Sequence, residues 1–190
     1  MKIAPLALCL VFAGTNGAGA ADIPDGGTCV PYASTFAFMM SAPPGWSGMC
    51  HAEMVTGAAV AYWPTSSSWG DAASVMYVSV SGKTDGSLAK VIAEDEASFK
   101  QRNPEGVIVQ GEAIKTSDGT PLRVNLTSGL RRGRFEAIAY AEQPTVVLII
   151  GLTSKSQADR DAAMPAFRAL IGSYVKIDHV HIRDANHGPT

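Results

Sequence analysis

The side chains able to do chemistry are few and lie far apart. Of the four histidines, His51 directly follows Cys50, and His179, His181 and His187 sit near the C-terminus. On an extended chain His179 and His181 point the same way, a geometry that suits a borderline metal such as Zn²⁺ or Cu²⁺. Their spacing matches no structural zinc pattern, and a solvated tail over residues 178–190 is the plainer reading. The chain contains no G-x-S-x-G, no H-E-x-x-H and no glycine loop with a phosphate-binding lysine. Ser, His and Asp show no nucleophile–base spacing. The expectation is a protein that is not an enzyme and has no cofactor, with metal binding by the tail as the alternative and a hydrolase hidden from sequence reading as the second.

Asp95 is the most unusual single residue. At 100° per residue it falls among Leu88, Val91, Ile92 and Phe99, inside the apolar stripe of a helix. A carboxylate there needs a partner or a proton. Arg123 or a hydroxyl is the expected partner, and a perturbed acid in a cleft is the functional counterpart. An aromatic set, Trp46, Tyr62, Trp63 and Trp69, surrounds the serine-rich stretch 64–71. Such residues are ordinary core unless exposed. An exposed one beside a loop marks an interface. Tyr62 and Trp63 point to opposite sides of one strand, so at least one should reach the surface. The cluster Arg131, Arg132 and Arg134 falls in a turn, where guanidinium groups are solvated or clamp an acidic partner.

Residues 1–20 say where the protein works. Lys2, an apolar run over residues 3–13 and the ending Ala18-Gly19-Ala20 form a secretory signal with an A-x-A cleavage site. The run is shorter than the roughly 20 residues of a membrane span. Cys9 goes with it, leaving Cys29 and Cys50 as a disulfide pair in an exported chain. A loop of that length contributes about 3 kcal/mol in the chain-entropy model. The predicted location is periplasmic or secreted, after cleavage near Ala20, without membrane insertion. The chain has 15 basic and 17 acidic residues, a net charge of −2 with His neutral, and loses one more positive charge with Lys2. That balance offers no basic face for nucleic acid.

The elements that must position these groups follow from periodicity and punctuation. Residues 21–28 read as a flexible lead-in. Strands are predicted over residues 35–40, stopped by Pro43-Pro44-Gly45, and over 57–63 and 74–81. A helix spans residues 88–102, capped by Thr84 or Asp85 and ended by Asn103-Pro104. Strands follow over 106–115, 121–127, 134–142 and 145–152, the last apolar throughout, as a centrally placed strand is. Ser156 begins a second helix with Met164, Phe167, Leu170, Ile171 and Tyr174 as its stripe, and Pro165 should kink or restart it. Hairpin-linked strands with two helices predict an α+β domain over residues 21–177, an antiparallel sheet with helices packed on it.

The order of these landmarks resembles the PsbP-like family. The resemblance is carried by residues 36–40 leading into Pro43-Pro44-Gly45-Trp46, then Ala61-Tyr62-Trp63-Pro64, the serine-rich loop with Trp69, Val75-Met76-Tyr77-Val78, the helix with Asp95 and Phe99, and Ala166-Phe167 with Ser173-Tyr174. It spans most of the mature chain, and its exported bacterial branch is the nearest. It implies an α/β/α sandwich and a non-enzymatic binding or assembly module, and it carries no catalytic motif. The function expected is therefore that of an exported binding or accessory protein. Its partner would be another envelope or secreted protein, met by Tyr62, Trp63 and Trp69 with Arg131 and Arg132.

Overall fold

The apolar run after Pro144 forms the strand Val146–Ser154 in the computed structural model, which describes residues 21–83 and 86–177. The signal segment, the proposed caps Thr84 and Asp85, and the tail with His179, His181 and His187 lie outside the described residues.

In chain order the strands are β1 (Ala21–Ile23), β2 (Thr28–Cys29), β3 (Tyr32–Ala33), β4 (Phe36–Ser41) and β5 (Trp46–Cys50). The turn of helix α1 (Glu53–Thr56) leads to β6 (Val60–Pro64) and β7 (Ser74–Gly82). Helix α2 (Leu88–Arg102) precedes β8 (Val107–Gln110), β9 (Ile114–Lys115), β10 (Pro121–Leu122) and β11 (Val124–Ser128). After a 3₁₀ turn at Arg131–Gly133 come β12 (Phe135–Glu142), β13 (Val146–Ser154), α3 (Gln157–Gly172) and β14 (Val175–Lys176).

The main sheet runs β1-β5-β6-β7-β13-β12-β11-β8, antiparallel at every pair. From β8 to β13 its strands follow the short-turn logic of their sequence, except that β9 and β10 leave to form a hairpin of their own. A smaller sheet, β14-β4-β2 with β3 also on β4, lies apart. The Cys29–Cys50 disulfide joins β2 of the small sheet to β5 of the main one.

Side chains alternate along each strand, and the alternation divides the core. Ala137, Ala139 and Ala141 of β12 and Leu148, Ile150 and Leu152 of β13 cluster with Phe167, Leu170 and Ile171 of α3. The residues between them, Ile138, Tyr140 and Val147, cluster with Val91 and Ile92 of α2. Alternate residues of one strand thus meet different helices.

Several expectations need correction. The lead-in is partly ordered: Ala21 and Ile23 pair with Cys50 and Gly48, because Ile23 has an apolar site to fill and is 3% exposed. Beyond Pro43-Pro44-Gly45 the chain resumes as β5, where a Cβ on Gly48 would strike the Ala61 carbonyl. The cap of α2 is Ser87, which accepts the Lys90 N–H at 3.3 Å. The strands foreseen at 106–115 and 121–127 each divide in two. Pro165 lies within an unbroken α3. Both Pro165 and Asp161, whose carbonyl loses its donor, are exposed, so water can satisfy that group and the helix continues.

Candidate functional site

The loop between β6 and β7 is tied down rather than loose. Thr65 N–H and Oγ1 both donate to the Gly45 carbonyl. Ser68 Oγ donates to Asp71 Oδ2 at 2.7 Å and accepts the Asp71 N–H, while the Ala72 N–H closes on the Ser68 carbonyl. This side-chain turn holds Trp69 half-buried, its ring edge-on to the half-buried Trp63 at 6.4 Å between centroids. Tyr62 is different. It is fully buried on the opposite side of β6, in the α3 core, and burial pushes its hydroxyl pKa well up. Tyr62 is therefore no contact residue. The strand alternation that exposes Trp63 buries it.

β7 and β13 pair Ser74 with Ser154 and Val75 with Thr153. Ser74 and Ser154 share a hydrogen bond of 2.7 Å, and Ser74 Oγ also donates to the Asp159 carbonyl at the start of α3. Lys155 follows, with its Nζ donating to the Asp71 carbonyl at 2.6 Å. A shallow depression open to solvent forms here between Trp69, Arg134, Thr153 and Lys155. The loop and the arginine turn, distant in sequence, thus share one end of the sheet.

Arg131, Arg132 and Arg134 are all exposed, and none makes a side-chain ion pair with a described residue. The turn is seated from below: Asn103 Oδ1 accepts the Arg131 N–H at 3.0 Å while Asn103 Nδ2 donates to the Phe99 carbonyl. Arg132 takes φ 68°, a left-handed backbone unusual for a side-chain-bearing residue.

Behind the cleft lies a polar group that sequence reasoning missed. Thr153 Oγ1 donates to Glu136 Oε1 at 2.9 Å. Burial raises the Glu136 pKa, the Thr153 hydroxyl lowers it, Asp95 raises it, and Arg102 and Arg134 lower it. Tyr77 crosses β13 where a Cβ on Gly151 would overlap its ring. Burial, then Glu136 and Asp95, push its hydroxyl pKa strongly up. The available signal was a glycine interrupting the apolar run of β13 directly opposite Tyr77.

Asp95 is half-buried rather than buried. A hydroxyl is its partner: Tyr140 Oη donates to Asp95 Oδ2 at 2.6 Å. Burial and then Asp95 push the Tyr140 hydroxyl pKa well up. Arg123, the other expected partner, instead meets Glu96 at 2.6 Å, and Asn125 Nδ2 donates to the same carboxylate oxygen at 2.8 Å. His51, the only histidine among the described residues, is half-buried beside the disulfide and meets Tyr32 edge-on. Among the described residues no group of three His, Cys, Asp or Glu side chains is placed to hold a metal ion. No described helix is long and apolar enough to cross a membrane.

No protein-family model matches the chain, and no curated protein does. Among solved structures it is similar to cyanobacterial PsbP (CyanoP) from Synechocystis sp. PCC 6803, at 14% identity, over 92% of this chain and 100% of that one, with a TM-score of 0.46. No site residue and no partner is taken from this likeness.

Proposed function

We propose that the protein is an exported, non-enzymatic binding or accessory protein built as a three-layer α/β/α domain. Its working surface is the cleft end of the main sheet. One observation carries this reading: Trp69 and Arg134 line the same solvent-open cleft. A half-buried indole offers a large apolar contact with little side-chain entropy to lose, and the exposed Arg134 guanidinium beside it selects acidic groups. The exposed Arg131 and Arg132 extend that preference along the neighbouring turn. The partner is an envelope or secreted protein presenting a segment that is both apolar and acidic. The Cys29–Cys50 bond accords with an oxidising compartment.

Pull-down from an envelope extract, followed by affinity measurement on the captured partner, tests the proposal. Trp69→Ala in a protein that still folds should weaken binding by about 2 kcal/mol or more, and Arg134→Glu should weaken it further at low salt than at high. A captured partner whose affinity is unchanged by both substitutions would remove the cleft from the interface.

A further inference from the structure

The main sheet ends at β8, and the register fixes which of that strand's groups are free. The Gly111 N–H donates to the Val124 carbonyl at 2.9 Å, and Val109 and Val107 stand opposite Leu126 and Ser128. Backbone direction alternates along a strand, so Val107 and Val109 bond inward to β11. Ile108 and Gln110 turn their N–H and C=O groups outward, where the sheet has no further strand among the described residues. Side chains alternate as well: Val107 and Val109 lie on the side of Leu126, in the α3 layer, yet are 49% and 56% exposed. Natural sheets blunt such edges with lysine, proline or a covering element. Val107-Ile108-Val109 contains no lysine or proline, no described strand covers it, and Lys100 Nζ reaches only the Gly106 carbonyl just before it.

The tripeptide reads the same in both directions. An antiparallel neighbour related by a two-fold axis through Ile108 sets Ile108 against Ile108 and Val107 against Val109 of the second copy, on the same side of the sheet. The Gln110 N–H then meets the Gly106 carbonyl, whose other lone pair holds Lys100 Nζ. Pro104 and Glu105 lie in the turn before β8 and Glu112 lies beyond its end, so no charged residue stands within the paired stretch. An unrelated strand has no such match, whereas a second copy has it by construction.

We infer that the protein forms a two-fold dimer by pairing β8 with β8 of a second copy, making one continuous antiparallel sheet. The inference rests on the sheet edge alone and is independent of the cleft. The contact is short, so the dimer should be reversible and concentration-dependent.

Sedimentation velocity over a concentration series of the purified protein, with amide hydrogen exchange at the two extremes, tests it. The parent should move from monomer to dimer, and its Ile108 and Gln110 amides should exchange more slowly as concentration rises. Val109→Lys places a charge on the apolar pair. Gln110→Pro removes an outward N–H without touching the β11 ladder. Both should remain monomeric across the same range with unchanged far-ultraviolet circular dichroism. Exchange on the parent stands even where a variant fails to fold. A parent monomeric at every concentration, a dimer whose Ile108 amide is not slowed, or open assemblies larger than a dimer would each overturn the inference. So would an Ile108 amide protected only when other envelope proteins are added, which would give the edge to a foreign strand.

Discussion

Along β12, Ala137, Ala139 and Ala141 turn towards α3, while Glu136, Ile138 and Tyr140 turn to the other side. Beneath α3, Ala137, Ala139 and Ala141 of β12 and Leu148, Ile150 and Leu152 of β13 present small and branched apolar groups, and Phe167, Leu170 and Ile171 are completely buried on them. On the other side the same strands supply Tyr77, Thr153, Glu136, Asn125 and Tyr140, and α2 answers with Asp95 and Glu96 as well as Val91 and Ile92. The first side is held by area removed from water. The second depends on paired polar groups, each of which is costly to leave alone. The polar side is also the one whose margin opens into the cleft lined by Trp69 and Arg134.

The contrast breaks most sharply at Phe167. Truncation to Ala should cost about 3–5 kcal/mol in denaturant unfolding, since the ring is 0% exposed and its site is walled by sheet and helix. Next comes the Cys29–Cys50 bond, which belongs to the same side through Cys29. Replacing both cysteines by Ala should cost about 3 kcal/mol by freeing the unfolded loop. A loss below 1 kcal/mol in either case would mean that the α3 side is not where stability resides.

On the α2 side a single polar contact should count for less. Tyr140→Phe removes the donor to Asp95, but that carboxylate is half-buried and can be hydrated, so about 1 kcal/mol is expected. A cost matching that of Phe167 would erase the distinction between the sides. Glu136 adds a pH dependence. Its folded pKa lies above the ordinary 4.5, chiefly through burial, so the folded state holds the proton more tightly than the unfolded one. Stability therefore falls as pH rises from the ordinary value through the raised one. Glu136→Gln should flatten that slope in unfolding titrations, and an unchanged slope would assign it to another group.

How much of this was legible follows the same division. The stripe of α2, that of α3 as far as Ile171, the strand at β7 and the apolar run of β13 are local patterns that appear in the chain where they are expected, whereas Tyr174, read as part of the α3 stripe, falls just past the end of that helix. Ser156, read as the start of α3, caps it by accepting the Asp159 N–H. β5 has no alternation to recognise: Trp-Ser-Gly-Met-Cys becomes a strand because β6 and β1 lie on either side of it. The partner of Asp95 is 45 residues away, and nothing local distinguishes the Tyr140 hydroxyl from Arg123. The cleft is harder still, because Trp69 and Arg134 meet only after β7, β13 and β12 have paired.

The finest test of the α2 side compares two buried threonines flanking the same carboxylate. Thr127 and Thr153 both stand opposite Glu136, on β11 and β13. They are 2% and 7% exposed. Thr153 donates to Glu136, whereas the buried Thr127 Oγ1 has no hydrogen-bond partner among the described residues. An unmet buried hydroxyl has lost its hydration and gained nothing in exchange. Thr127→Val should therefore be neutral or stabilise by up to about 1 kcal/mol. The same change at Thr153 should destabilise, because it strips the carboxylate of its donor. Opposite signs from one chemical substitution, measured by urea unfolding at a pH where Glu136 is charged, would place the value of this side in completed pairs rather than in polarity as such. Equal losses at both positions would show that the methyl geometry of threonine, and not its hydroxyl, is what the sheet uses there.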